Sequence, residues 1–297
     1  MKAIILAGGS GSRLHPLTLG VSKQMLPVFD KPMIYYPLST LMLAGLRDVL
    51  LITTPRDEAA FSSLLGDGSH LGINISYSVQ KEPNGLPEAF VLGANFLDGA
   101  GCTLILGDNL LAGAGVGRHL STIMTRAGGT IFGAWMRDPR AYGVIEVDDN
   151  DRILSIAEKP ERTDSHWAIP GLYVFDSRVV EFAKDLRPSK RGETEIVDLH
   201  NRYLSAGELN VEFLSRGTTW LDMGTIESLA QASDFVRTLE HRQGVVLGSP
   251  EEVAWRQGWI SRDDLSRYAG SLGASSYCEY LKGLANQDPV PFELEQL

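Results

Sequence analysis

The chain has 297 residues, 43% of them hydrophobic and 22% charged, with a formal net charge of −10. That is an ordinary globular composition, long enough for a core that needs no disulfide staples or structural metal. Its sign opposes nucleic acid and anionic membrane as partners, so a phosphate-bearing ligand must meet positive charge concentrated locally.

From the N-terminus, the short apolar run from Ala3 to Ala7 stops at Gly8 and shows neither a signal peptide nor a membrane span. Cys102 and Cys278 are far apart, which excludes a disulfide scaffold and suits a reducing compartment; a cytoplasmic location is expected. Lys2–Ala7, Val49–Thr53, Ile75–Val79 and Thr103–Leu106 are predicted to be buried strands. Helices are predicted between them over Leu38–Ala44, Asp57–Leu65 and Glu88–Asn95. Pro37 implies a kink or a late helix start. The alternation predicts an α/β fold with a Rossmann-like, mostly parallel central sheet and helices on both faces.

Further on, Thr130–Trp135, Tyr142–Val147, Ile153–Ala157 and Leu172–Phe175 look extended, and Glu195–Ser205 and Ile226–Glu240 look helical. After Gly244 the pattern changes. Ser249-Pro250-Glu251-Glu252 and Ser276 with Glu279 read as capping boxes of short helices. The expected organisation is a catalytic domain over 1–243 with a helical C-terminal extension, 244–297, packed on it.

Polar motifs punctuate these elements. Gly8-Gly9-Ser10-Gly11-Ser12-Arg13 follows the first strand, and glycines there let backbone N–H groups face an anion. It is not a P-loop, having no Gly-Lys-Ser/Thr, and Leu14 stands where a dinucleotide fingerprint needs its third glycine. Arg13 adds a permanent, bidentate phosphate-binding charge. Lys23 follows closely and could close over the same phosphates, although a lone loop lysine is usually just solvated. Asp108, directly after an apolar strand, sits where open α/β sheets bind ligands and could hold Mg²⁺ beside a phosphate; the bland alternative is a helix cap. Asp222 could pair with it as a second metal carboxylate, or serve a nearby helix start. Glu158 could accept from sugar hydroxyls while Lys159 meets a sugar phosphate, or the two could form an exposed ion pair worth little. The six histidines show no metal-ligand spacing.

Taken in order, these motifs resemble the glucose-1-phosphate thymidylyltransferases, a branch of the sugar nucleotidylyltransferases, over essentially the full length. The resemblance rests on Gly8 to Leu14, Ser22-Lys23-Gln24-Met25-Leu26-Pro27 and Asp30 to Pro37. It continues through Leu106-Gly107-Asp108-Asn109, Tyr142-Gly143-Val144, Glu158-Lys159-Pro160, Arg191-Gly192-Glu193 and Trp220-Leu221-Asp222. It implies transfer of a deoxythymidylyl group from dTTP to glucose 1-phosphate, with release of pyrophosphate. Leu6, Gly8, Gly9, Gly11, Ser12, Arg13 and Asp108 would hold the nucleotide, and Gln80 and Gly85 would read the pyrimidine edge. Gly143, Glu158, Lys159, Gly171, Tyr173 and Trp220 would hold the sugar phosphate. Arg13, Lys23, Asp108 and Lys159 would be catalytic, Asp108 and Asp222 would bind Mg²⁺, and a homotetramer is implied. A uridylyltransferase or an enzyme of relaxed nucleotide choice, a non-catalytic nucleotide-sugar sensor and a Rossmann oxidoreductase are the competing readings.

The chain departs from the family in three places. Gly85-Leu86-Pro87-Glu88-Ala89 stands where the family reads Gly-Leu-Ala-Gln-Ala, and Ile196-Val197-Asp198 where it reads Ile-Thr-Asp. Leu110-Leu111-Ala112-Gly113-Ala114 lacks the aromatic and histidine of a second, regulatory nucleotide site, although Arg216, Glu252 and Arg256 match its other wall. Feedback control is therefore expected to be weak.

Overall fold

The computed structural model describes residues 1–9, 11–189 and 192–287; Ser10 and Arg191 of the motifs above lie outside them. In chain order the first half runs β1 (Lys2–Ala7), β2 (Pro27–Val28), β3 (Lys31–Pro32), α1 (Tyr35–Leu43), β4 (Asp48–Thr53), α2 (Glu58–Leu65), β5 (Asn74–Val79), α3 (Glu88–Leu92), α4 (Ala94–Leu97), β6 (Cys102–Leu106) and β7 (Asn109–Ala112). It continues with α5 (Val116–Ile123), β8 (Gly129–Trp135), β9 (Gly143–Val147), β10 (Ile153–Glu158), β11 (Trp167–Ala168), β12 (Leu172–Phe175), α6 (Val179–Lys184), α7 (Ile196–Ser205), β13 (Leu209–Phe213), β14 (Thr219–Asp222) and α8 (Ile226–Gln243). Three helices follow: α9 (Pro250–Arg256), α10 (Arg262–Ser271) and α11 (Ser276–Ala285).

The α/β fold is as expected. In the central sheet β5, β4, β1, β6, β8 and β13 all run one way, and β12 runs against them between β6 and β8. β9, β10 and β11 extend the sheet as an antiparallel flank. Both faces are covered, which is why the parallel strands read as continuous apolar runs rather than alternating ones. Ala3, Ile5, Val49 and Leu51 pack with Leu38 and Leu41 of α1 and Phe61 of α2. Their neighbours Ile4, Leu50 and Ile52 point to the other face, against Phe90 of α3 and Val197 and Tyr203 of α7.

Local details correct two expectations. α1 starts at Tyr35 rather than Leu38, with Pro37 in its first turn, where no intrahelical partner exists for its missing N–H. The cap of α11 is Ser275, extended and accepting from the Cys278 N–H, so the box expected at Ser276 and Glu279 falls inside the helix. Ser249 does cap α9, with Pro250 at the first position. α9 joins the main core through Val253 and Ala254, whereas α10 and α11 cluster around Trp255.

One buried group makes stability depend on pH. His200 of α7 lies beside Tyr173 and Phe175, and neither ring nitrogen has a partner among the described residues. Burial pushes its pKa from 6.5 down to about 3. Between those values the unfolded chain binds a proton that the native state excludes, so stability falls as pH drops through the window. His200→Leu is expected to flatten urea-measured stability between pH 6.5 and 4.5 by about 1 kcal/mol per pH unit. An unchanged slope would show that His200 titrates alike in both states.

Candidate active site

The parallel strands β1, β4, β5 and β6 deliver their carboxyl ends to one edge, the position at which open α/β sheets bind ligands. The Gly-rich loop leaves β1 there, Gln80 follows β5, and Asp108 follows β6. Leu6, at the end of β1, ties two of these together by accepting from the Gly107 N–H at 2.9 Å.

Gly11 takes a left-handed conformation, φ 60°, and opens a single 3₁₀ turn over Ser12–Leu14. Its carbonyl accepts from Thr18 Oγ1 at 2.8 Å, and a Cβ at Gly11 would press on that side chain. Ser12 and Arg13 are exposed on the turn while Leu14 anchors it in the core. Gly8 lies under the Gln80 side chain: Gln80 Oε1 is 3.2 Å from where a Gly8 Cβ would stand. Gly85, φ 106°, passes so close to Thr194 that a Cβ would fall 2.0 Å from that residue's carbonyl oxygen. Only glycine fits both demands.

Asp108 is the hub. One of its oxygens meets the Lys23 ammonium, and the other accepts from Asn109 Nδ2 at 2.9 Å. Lys23 is largely buried on its own 3₁₀ turn, so it is held rather than solvated. Asn109, which the sequence offers only as part of a motif, is the organiser. Its Oδ1 accepts from the Gly171 N–H at 2.9 Å and from Trp220 Nε1 at 2.5 Å. The clue in the sequence is a lone amide opening an apolar run, where a buried polar group must be satisfied.

Asp222 ends β14, which pairs with β7 so that Asp222 faces Asn109, and the Met223 N–H donates to the Asp108 carbonyl at 3.1 Å. Burial first, then the Asp108 charge, raises the Asp222 pKa; Lys23, Arg13 and a hydrogen bond from Tyr142 oppose the rise. Tyr142, which precedes Gly143 in its motif, is pushed up to about 12 by burial and the Asp222 charge. Its ring meets Trp220 edge-on at 4.9 Å.

The remaining expected residues lie on the adjoining flank. Gly143 and Glu158 are paired across β9 and β10. Lys159, left-handed at φ 44°, makes a 3.2 Å ion pair with Glu158 and keeps half of its side chain exposed. Tyr173 of β12 is buried, and burial, with the charges of Glu158 and Asp108, raises its pKa. A Cβ on Gly171 would collide with Leu106.

The half-buried, mutually repelling carboxylates Asp108 and Asp222, both hard oxygen donors, fit Mg²⁺, which takes one or two carboxylates plus substrate phosphates. No group of three potential ligands occurs among the described residues, so the pair would share an ion with a bound phosphate rather than cage it.

With that arrangement in view, the comparisons are decisive. The nucleotidyl transferase family model matches residues 2–238. The chain belongs to the nucleotidyl transferase family. Within it, the chain is 53% identical to the glucose-1-phosphate thymidylyltransferase of Mycolicibacterium smegmatis over 288 residues, 97% of this chain and 100% of the relative. It is 51% identical to that of Xanthomonas campestris pv. campestris over 290 residues, covering 97% and 98%. A Bacillus anthracis protein described as a glucose-1-phosphate thymidylyltransferase and solved with sucrose superposes with TM-score 0.74 at 35% identity, over 80% of this chain and 95% of that one.

A second feature of this nucleotidyl transferase is lined by none of the site residues described above. A cavity of about 730 Å³ opens behind β7, lined among others by Ala112, Ala114, Arg118, Phe235, Glu252 and Arg256. Arg216 is exposed on the turn before β14 and does not line the cavity. Glu252 and Arg256 are locked in a buried ion pair at 2.7 Å, and Tyr280 donates to Glu252 at 2.7 Å. Among the described residues, no helix is long and apolar enough to cross a membrane.

Proposed function

We propose that the chain transfers a deoxythymidylyl group from dTTP to glucose 1-phosphate, giving dTDP-glucose and pyrophosphate. The observation that carries this is the convergence of Arg13, Lys23, Asp108 and Asp222 at the carboxyl edge of the sheet, in a chain half identical to thymidylyltransferases over almost its whole length.

The residue chemistry suits the reaction. The attacking oxygen of a sugar 1-phosphate is already anionic near neutral pH, so no strong general base is needed. What the step requires is relief of repulsion between two anions and alignment for in-line attack on the α-phosphorus. Gly8, Gly9 and Gly11 would present N–H groups to the triphosphate, with Gln80 and Gly85 at the pyrimidine. Arg13 and Lys23 would neutralise the charge that develops on the departing pyrophosphate. Gly143, Glu158, Gly171, Tyr173 and Trp220 would shape the sugar pocket, and Lys159 would leave Glu158 for the sugar phosphate. Mg²⁺ held by Asp108 and Asp222 would supply Lewis-acid neutralisation of phosphate charge. Pyrophosphate release with dTTP, UTP and dCTP in turn tests the reading; a UTP rate above the dTTP rate would favour a uridylyltransferase instead. A homotetramer is the assembly the resemblance implies, and light scattering on the purified chain would test it.

The cavity behind β7 bears on regulation. Where a regulatory nucleotide site would use an aromatic and a histidine, this chain offers Ala112 and Ala114. Losing a packed ring and a polar contact costs a few kcal/mol, which turns a micromolar site into a roughly millimolar one. A thymidine-linked deoxysugar nucleotide is therefore expected to inhibit only near millimolar concentration. Low-micromolar, non-competitive inhibition would show that Arg118 or another neighbour restores the site.

A further inference from the structure

A second buried ammonium, besides Lys23, has no part in the transfer described above. Lys31 of β3 is 2% exposed. Its Nζ meets Asp30 and lies 3.0 Å from Glu240 Oε1 of α8, with the rings of Tyr36 and Tyr277 at 5.6 and 5.5 Å. Its charge also acts on Glu251 of α9, which is buried and accepts from the Tyr277 hydroxyl. Glu240 in turn accepts from the Leu247 N–H at 2.9 Å. A buried ammonium is costly to desolvate, and an apolar side chain of similar length would fill the space without that cost. What the charge adds is direction, because a cation drawn to carboxylates on α8 and α9 favours one placement of β3.

β3 is the return arm of the segment that carries Lys23. Val28 pairs with Lys31, and the Tyr36 hydroxyl donates to the Val28 carbonyl at 2.7 Å. At the tip between the two strands, the Phe29 N–H donates to Ser233 Oγ of α8 at 3.2 Å. Past β3, the Met33 N–H donates to the Leu26 carbonyl and the Ile34 N–H to the Gln24 carbonyl, each at 2.9 Å. The Leu26 N–H closes the chain of contacts on the Lys23 carbonyl at 3.0 Å. The 3₁₀ turn that aims Lys23 at Asp108 is therefore set by where β3 lies.

We propose that Lys31 is a positioning residue for the transfer: through β3 it fixes the turn that holds the Lys23 ammonium on Asp108. The proposal rests on the proposed function, in which Lys23 meets the charge of the departing pyrophosphate. Because Glu251 and Tyr277 lie on α9 and α11, it also gives the helical C-terminal extension a part in the chemistry.

Lys31→Met tests it, since methionine keeps most of the length and removes the charge. With dTTP and glucose 1-phosphate, kcat is expected to fall about tenfold, less than the ~10²-fold of losing a group that touches the transition state. KM for dTTP should stay within about twofold, because the contact weakened is one that strengthens as pyrophosphate departs. In a Lys23→Ala background the same substitution should cost nothing further, since residues that act as one unit do not add. Glu240→Gln keeps an oxygen for the Leu247 N–H and weakens the hold on Lys31. It should lower kcat by about threefold, on the scale of one hydrogen bond, and it decides the matter if Lys31→Met does not fold. A lower melting temperature with kcat per folded enzyme unchanged, or an equal proportional loss in the Lys23→Ala background, overturns the proposal. No pyrophosphate from the unsubstituted chain with any triphosphate would instead overturn the proposed function.

Discussion

Asp108→Asn is expected to lower turnover with dTTP and glucose 1-phosphate by at least ~10²-fold, the scale of losing one charge that stabilises the transition state. The substitution preserves shape and keeps an oxygen for the Asn109 amide, but it removes the anion that faces Lys23. A buried ammonium then loses its ionic partner, so the variant should also melt several degrees lower. Melting curves must accompany the rate measurement, because the two losses have different meanings. A folded variant whose activity stays low at saturating Mg²⁺ supports Asp108 as a metal carboxylate. Near-normal turnover in that variant would sink the assignment.

Arg13→Ala is expected to cut kcat as well as weaken nucleotide binding, again by ~10²-fold in kcat/KM. Arg13 is exposed on the 3₁₀ turn, so its removal should leave stability nearly unchanged. Its charge acts on both Asp222 and Tyr142, so it reaches the same ground as the carboxylates. An interaction that strengthens as pyrophosphate departs lowers kcat when lost. A rise in KM alone would show uniform binding of substrate and transition state.

Much of this fold is legible in the sequence because parallel strands buried on both faces are plain apolar runs. The apolar runs Lys2–Ala7 and Leu172–Phe175 predict β1 and β12 with their observed limits. The pairing of β7 with β14 was not legible. Each is four residues long, and their partnership joins Asn109 to Asp222, far apart in the chain. No local period signals such a contact. The two-residue β11 is too short for a pattern of its own and is placed by β8 and β9, whereas Leu209–Phe213 of β13 alternates apolar and polar residues, a strand signal absent from the elements predicted above.

The site divides along similar lines. The Gly loop, Asp108 and their common edge follow from strand order and turn chemistry. That Lys23 meets Asp108 across 85 positions, and that Asn109 binds Gly171 and Trp220 together, depends on tertiary packing. The ion pair between Lys159 and Glu158 is the bland alternative weighed for those residues, and it is what the resting geometry contains.

The central claim is that the α-phosphorus of dTTP is attacked by the sugar phosphate. Incubation of the chain with Mg²⁺, glucose 1-phosphate and dTTP labelled at the α-phosphorus follows that atom directly. The account predicts that the label moves into dTDP-glucose while the released pyrophosphate stays unlabelled and equals the sugar nucleotide mole for mole. Label recovered only in dTMP, or left wholly in dTTP when glucose 1-phosphate is present, would contradict it.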